Sequence, residues 1–148
     1  MGKYKPDKSA WRVKPLSKET PWGTEKQWSA LPGVNGKILS IKKDHRTSLK
    51  YHRRKNEAFY VLSGKVKFVY ADEDWLHYNN VNLKEEILEA GDSMCVQSNC
   101  VYRIHALEES RVVEIGSYGN DAGSVRIDDD YGRKVTKETL PNFTATEK

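Results

Sequence analysis

The sequence predicts an all-β domain, and three observations lead to that prediction. Short runs rich in Val, Ile, Tyr and Phe recur along the chain, clusters of Gly, Asn, Asp and Ser separate them, and no segment between them has a convincing helical period. Runs at this spacing predict about eight strands between Gly36 and Tyr118, arranged as a sandwich or barrel. The runs are GKILSIKK, EAFYVLSG, KVKFVY, VNLKEEILEAGD, SMCVQ, VYRIHAL and RVVEIGSY.

A single domain of 148 residues is expected. We divide it into an N-terminal arm over about residues 1–33, a barrel over about 34–120 and a C-terminal segment over about 121–148. No apolar run approaches the roughly 18 residues that span a bilayer. The first residues also lack the apolar core of a signal peptide. We therefore expect a cytoplasmic protein without a membrane partner.

The charge pattern does not indicate a nucleic-acid partner. The chain has 25 basic and 21 acidic residues, a net charge of +4, and the two signs are mostly interleaved. A phosphate-binding stripe would instead concentrate the basic residues. We interpret the longest basic cluster, HRRK from His52 to Lys55, as part of a solvated surface of mixed charge.

The stretch from Asp44 to Gly64 has the spacing of a known motif. The first motif of the cupin superfamily runs Gly, five residues, His, one residue, His, four residues, Glu, six residues, Gly. Those five positions are occupied here by Asp44, Lys50, His52, Glu57 and Gly64. The second cupin motif runs Gly, five residues, Pro, one residue, Gly, two residues, His, three residues, Asn. Its positions are occupied by Gly91, Gln97, Asn99, Tyr102 and Ala106. The chain thus resembles a cupin, which implies a double-stranded β-helix, the jelly-roll barrel.

Four of these side chains are expected to meet inside the barrel. Residues two apart on a strand face the same side, so Lys50 and His52 point inward together, and Glu57 and Tyr102 lie on later strands. In an ordinary metal cupin these positions carry three imidazoles and a carboxylate around a divalent ion. Here His52 and Glu57 are the candidate ligands of a divalent metal (Zn, Mg, Mn or Co). A site that works without any metal stays open.

Three ordered segments carry a closer resemblance within the superfamily. PWGTEKQW, RTSLKYHRRKNEAFYVLSGKV and SVRIDDDYGR resemble the type II phosphomannose isomerase (mannose-6-phosphate isomerase) group over about Pro21 to Arg133. The resemblance implies aldose–ketose isomerisation of a sugar phosphate by a homodimer. The catalytic candidates are His52, Lys50 and Tyr102. The candidates for binding the substrate are Arg46, Ser48, Arg126 and Arg133.

Two other functions stay open at this point. A His and Tyr pair in a metal-free jelly roll resembles the arrangement of nucleotide-sugar epimerases, which would make the protein a metal-free epimerase or isomerase of nucleotide sugars. The changed second motif favours instead a non-catalytic cupin that binds a sugar, a small metabolite or a protein partner. Likewise, each arginine candidate could pair with the acidic run Asp128–Asp130 rather than with a phosphate. We expect His77 in an exposed loop.

Overall fold

The computed structural model describes residues 3–71, 82–117, 124–135 and 146–147. All regular structure within these ranges is β, and none of the described residues forms a helix that could cross a membrane. The strands are β1 (Leu16–Thr20), β2 (Gly23–Gln27), β3 (Val34–Ile41), β4 (Leu49–His52), β5 (Glu57–Ser63), β6 (Lys65–Tyr70), β7 (Asn82–Glu89), β8 (Ser93–Val96), β9 (Tyr102–Ala106), β10 (Ser110–Ser117), β11 (Ser124–Asp128) and β12 (Thr146–Glu147).

The strands form two six-stranded sheets that face each other. The first sheet has the order β1-β2-β3-β10-β5-β8, and the second has the order β11-β4-β9-β6-β7-β12. Every pairing is antiparallel except that of β12 with β7. Consecutive strands such as β5 and β6 belong to different sheets, as a jelly roll requires. The predicted all-β jelly-roll fold is confirmed.

The core lies between the two sheets and follows the two-residue period of the strands. In β5, Glu57, Phe59 and Val61 are buried, whereas Tyr60 and Leu62 are exposed. The apolar residues buried between the two sheets form one cluster: Trp22, Leu39, Ile41, Phe59, Val61, Val66, Phe68, Leu88, Val96, Tyr102, Ile104, Ala106 and Val112. A second buried cluster lies on the opposite face of the second sheet and consists of Leu49, Tyr51, Val69, Ala71, Leu83, Val101 and Val125. The same alternation that buries these residues also points Glu57 into the barrel.

The structure has the predicted number of strands in this region, and seven of them, all except β4, fall on the predicted runs. Eight strands, β3 to β10, lie between residues 34 and 117. The N-terminal arm contributes more than expected, because β1 and β2 form a hairpin that extends the first sheet beyond β3. The predicted exposed loop around His77 and half of the predicted C-terminal segment lie outside the described residues.

Four positions of the two motifs have a left-handed backbone, among them Gly91 with φ of 96°. Gly64, at the end of the first motif, has φ of 87°, and a Cβ there would lie 2.3 Å from Ser110 Oγ. Asp44 and Asn99 occupy two other glycine positions of the motifs and adopt φ of 64° and 69°. Asp and Asn tolerate this conformation better than other non-glycine residues do. The turns therefore keep the backbone geometry of the motifs although two of the glycines are replaced.

Candidate functional site

The strands bring the four predicted motif side chains to one end of the barrel interior. Lys50 on β4 pairs with Tyr102 on β9, so these two side chains are neighbours on the inner face of the second sheet. His52 follows on β4, and Glu57 faces them from β5 in the first sheet. His52, Glu57 and Tyr102 are each at most 5% exposed, whereas Lys50 is half-buried.

Glu57 is the residue at which the contacts converge. The Tyr102 hydroxyl donates a hydrogen bond to Glu57 Oε1 at 2.6 Å, and His52 Nε2 lies 3.1 Å from the same oxygen. The Tyr102 ring stacks on Phe68 with 5.5 Å between ring centroids and 4° between ring planes. This stacking fixes the direction of the hydroxyl, so the carboxylate holds an imidazole and a phenol side by side.

Two further charged residues, Lys55 and Glu114, belong to this cluster, and neither was predicted from the sequence. Lys55 Nζ lies 3.3 Å from Glu57 Oε2 and 3.4 Å from Glu114 Oε2. Asn35 Nδ2 donates a hydrogen bond to Glu114 Oε2 at 2.7 Å. The prediction that HRRK lies on the surface is wrong for two of its members, because His52 and Lys55 are each only 4% exposed.

A signal for Glu114 was present in its strand. Val112, Glu114 and Gly116 alternate with exposed residues along β10, so the two-residue period places Glu114 on the same inner face as buried Val112. Lys55 had no comparable signal, since it lies between β4 and β5 in a run of basic residues. The absence of a side chain at Gly116 makes room for it: a Cβ there would lie 2.5 Å from Lys55 Cε.

Glu57 is more acidic in this setting than an ordinary glutamate. Burial of the side chain raises its pKa, but the His52 ring, the Lys55 ammonium and the Tyr102 hydroxyl outweigh burial. The pKa of Glu57 therefore lies well below its ordinary value of 4.5. At neutral pH this residue is a carboxylate that orients its neighbours and stabilises positive charge on them.

Glu114 behaves in the opposite way. Burial raises its pKa from 4.5 to about 7, and the negative charge of Glu57 acts in the same direction. Three lysines, Lys55, Lys37 and Lys50, lower the pKa without cancelling the rise. The two carboxyl groups that face Lys55 thus differ in character, since one is ionised at neutral pH and the other titrates near it.

The donor set does not fit the divalent metal that a cupin implies. Only His52 and Glu57 of the four motif positions are metal ligands, while Lys50 brings a cation and Tyr102 a phenol with an ordinary pKa of about 10. Glu57 Oε2, which would face an ion, faces the Lys55 ammonium instead. Within residues 3–71, 82–117, 124–135 and 146–147, no three His, Cys, Asp or Glu side chains are grouped to hold a metal ion.

A row of polar side chains crosses the second sheet beside this cluster. Arg126 pairs with Lys50, Lys50 with Tyr102, and Tyr102 with Tyr70, each on an adjacent strand. Paired residues project to the same face, so all four belong to the barrel interior. Arg126, Lys50 and Tyr70 are half-buried, in contrast to Tyr102. The row places two cations next to the buried His52 and Glu57.

The other predicted substrate-binding residues are placed differently. Arg46 Nε and Nη2 donate to Asp130 at 2.6 and 2.9 Å, an interaction that holds the pKa of Asp130 below its ordinary value. Arg133 makes a similar pair with Asp129, with Nη2 at 2.8 Å from Oδ1. Ser48 is buried below Lys50. Both arginines thus form ion pairs with the acidic run Asp128–Asp130, which was the alternative partner predicted from the sequence. Their role in binding a substrate stays a prediction.

A polar cavity of about 350 Å³ lies at the turn between β8 and β9. It is lined by Ala71 and by residues 95–100, which include two positions of the second motif, Gln97 and Asn99. The backbone N–H of Asn99 in this turn donates to the His52 carbonyl oxygen at 2.7 Å, so the cavity wall packs against the end of β4 that carries His52. Ligand pockets for small molecules begin at about this volume.

A match to a protein-family model identifies the family to which the chain belongs. The protein-family model of the cupin domain matches residues 37–116, which span β3 to β10 and both motifs. The chain belongs to the cupin family. No curated protein matches it in sequence.

Several solved structures share the fold. KdgF from Halomonas sp. is 16% identical, with a TM-score of 0.60 over 72% of this chain and 89% of that chain. Pac13, a nucleoside dehydratase, is 13% identical with a TM-score of 0.62 over 77% and 85%, and the Streptomyces protein was solved with uridine. CapF from Staphylococcus aureus, a capsular polysaccharide assembling protein, is 14% identical with a TM-score of 0.64 over 79% of this chain but only 35% of that chain. Identities this low show the fold alone.

Proposed function

We propose that this cupin binds a phosphorylated or nucleotide-linked sugar at the end of the barrel and moves a proton on it without a metal ion. The reaction we favour is aldose–ketose isomerisation of a sugar phosphate. Pac13 and CapF, whose names refer to a nucleoside and to a polysaccharide, support a sugar-related cupin. The mannose-6-phosphate isomerase resemblance of the sequence suggests the specific reaction.

The state of the His52 ring carries the proposal. His52 is 4% exposed, its Nε2 lies 3.1 Å from Glu57 Oε1, and neither ring nitrogen makes a hydrogen bond of acceptable geometry with a described residue. A buried polar atom without a partner costs free energy, and such atoms are often explained by a catalytic role or by a bound ligand or water. An imidazole next to a carboxylate is suited to take and return a proton near neutral pH.

Positive charge beside the ring supports an anionic substrate. Lys50 and Arg126 form the half-buried part of the row that leads to the buried His52 and Tyr102. An ammonium and a guanidinium both bind phosphate, the latter in a bidentate manner. Polar side chains at residues 97–99 in the neighbouring cavity would contact sugar hydroxyls.

In the proposed reaction, His52 takes the proton from C2 of the open-chain aldose and returns it to C1. The C–H bond broken at C2 is replaced by a C–H bond formed at C1, and the hydroxyl proton moves from O2 to O1, so no atom is gained or lost. The Lys50 ammonium stabilises the enediolate oxygen between these steps. Tyr102 supplies or accepts the oxygen-bound proton, and Glu57 stabilises the charged imidazole.

Two alternatives have observations in their favour. The pairing of His52 and Tyr102 on one carboxylate favours a nucleotide-sugar epimerase or isomerase, which would use the same groups as base and acid. The deep burial of both side chains favours a non-catalytic cupin in which Glu57 holds them in a structural network. That protein would bind a sugar, a small metabolite or a protein partner at the half-buried row.

A binding panel distinguishes these functions. Sugar phosphates and nucleotide sugars are added to chelator-treated protein, and the melting temperature is followed. A rise with sugar phosphates alone supports the isomerase, and a rise with nucleotide sugars supports the epimerase. The absence of any rise would contradict both.

Two lysine variants locate the site. Lys50→Met should weaken the binding of the active ligand by about tenfold to a hundredfold, the usual value of a hydrogen bond to a charged group. Lys67→Met is the matched control, because Lys67 lies on β6 between the buried Val66 and Phe68 and pairs with Glu85 at 3.4 Å. Equal weakening in both variants would show that the ligand does not bind along the row.

A further inference from the structure

Lys55 is buried to an extent that is unusual for a lysine. Its side chain is 3% exposed, and its amine lies between the carboxylates of Glu57 and Glu114, at 3.3 and 3.4 Å. Fully buried lysines are rare unless they are paired. The fold provides for this one, since Gly116 leaves the space through which the lysine stem passes.

Two carboxylates contact the Lys55 amine, and an imidazole contacts one of them. Glu57 occupies the carboxylate position of the cupin motif. Its Oε2 lies 3.3 Å from Lys55 Nζ and makes no hydrogen bond with a described residue. Glu114 supplies a second carboxylate, and His52 contacts the other oxygen of Glu57. His52 is itself buried with a ring nitrogen that no described residue hydrogen-bonds. Carboxylates and an imidazole are side chains that ligate Zn²⁺, Mn²⁺ or Co²⁺, but with Lys55 in place the described side chains are not grouped to hold an ion.

We propose that the Lys55 ammonium is the resident cation of this barrel and takes the electrostatic place of the metal ion. The lysine neutralises Glu57, holds it against β10 and leaves His52 without an ion to ligate. Removing the side chain takes away the ammonium that lies between Glu57 and Glu114. The site should then accept a divalent cation from solution, with His52, Glu57 and Glu114 as ligands. This inference does not depend on the proposed reaction, because its readout is metal binding.

The test compares the chelator-treated wild type with Lys55→Ala, using Co²⁺ and Zn²⁺ as probes. The wild type should show no saturable binding by calorimetry and no change in melting temperature. Lys55→Ala should melt lower than the wild type and bind about one ion per chain. At a free-ion concentration of about 100 Kd its melting temperature should rise by on the order of 5 to 10 °C. The Co²⁺ complex should absorb visible light, and adding His52→Ala should weaken binding at least about tenfold.

A control variant, a substitute variant and the wild type complete the test. Lys67→Ala removes a lysine from a surface ion pair and should gain no ion binding. Lys55→Met, which fills more of the space, replaces Lys55→Ala if the latter does not fold. A folded Lys55 variant that binds no ion would overturn the proposal. If neither variant folds, the wild type decides: stoichiometric binding that His52→Ala abolishes overturns it, and the absence of binding supports it.

Discussion

Glu114 should make the stability of this protein depend on pH, and Glu114→Gln removes that dependence. Burial raises the pKa of Glu114 from 4.5 to about 7. A carboxyl whose pKa is raised on folding stabilises the protein fully below its unfolded pKa, and this stabilisation is lost as the pH rises through the folded pKa. The loss should therefore occur between about pH 4.5 and pH 7. Glutamine has nearly the same shape and no titratable proton.

The size of the effect follows from the difference between the two pKa values. A difference of one pH unit corresponds to about 1.4 kcal/mol, so the rise from 4.5 to about 7 corresponds to about 3 kcal/mol. Relative to the wild type, Glu114→Gln should gain about this much free energy of unfolding between pH 4.5 and pH 8. Screening by solvent is small, because Glu114 is only 5% exposed.

Urea denaturation of both proteins at closely spaced pH values measures the effect. The exposed Glu86 provides the control, since Glu86→Gln should show a difference from the wild type that varies little over this range. A constant difference between Glu114→Gln and the wild type would refute the reasoning. If Glu114→Gln instead loses stability relative to the wild type as the pH rises, the reasoning is also refuted. In that case Lys55 keeps Glu114 ionised over the whole pH range.

Three other predictions concern separate parts of the fold. Tyr102→Phe removes a group that lowers the pKa of Glu57, so unfolding by acid should begin at higher pH, and stability at pH 7 should fall by about 1 to 3 kcal/mol. Gly64→Ala should cost at least about 2 kcal/mol in urea denaturation, because strain and a clash combine, whereas Gly91→Ala, with no neighbour in reach, should cost about 1. Light scattering should report a homodimer, and Tyr60→Lys on the exposed outer face of β5 should weaken it.

Each of these has an opposing result. An unchanged acid transition in Tyr102→Phe would mean that the hydroxyl does not stabilise the Glu57 carboxylate. Equal costs for Gly64→Ala and Gly91→Ala would mean that the approach of Ser110 to Gly64 relaxes without a penalty. A monomer at all concentrations would contradict the homodimer, and an unaffected dimer in Tyr60→Lys would place its interface elsewhere.

The fold was predictable because most strands carry an apolar face. The runs that gave β3 and β5 to β10 alternate or cluster buried residues, and the structure places strands there. The hairpin of β1 and β2 was missed because its sequences, LSKET and GTEKQ, lack that alternation. These strands are held by their pairing to β3 rather than by a buried face of their own.

The candidate site was predictable only in part. Motif spacing located His52, Glu57 and Tyr102, because the positions on the strands, and with them the left-handed turns at Asp44 and Asn99, are kept. Spacing did not indicate that Lys55 turns inward. That contact joins the loop before β5 to β10, more than fifty residues further along the chain, and depends on the missing side chain at Gly116. Nothing in the local sequence distinguishes Lys55 from the exposed Arg53 and Arg54.

Hydrogen exchange at carbon tests the central claim most directly. Mannose 6-phosphate, and any other sugar that binds in the panel, is incubated with the protein in D₂O and a chelator, and deuterium at carbon is followed by NMR. We predict that the wild type incorporates deuterium at C1 or C2 and that His52→Gln slows this by at least about a hundredfold. Binding of the sugars without any deuterium at carbon would contradict proton transfer and leave a binding protein.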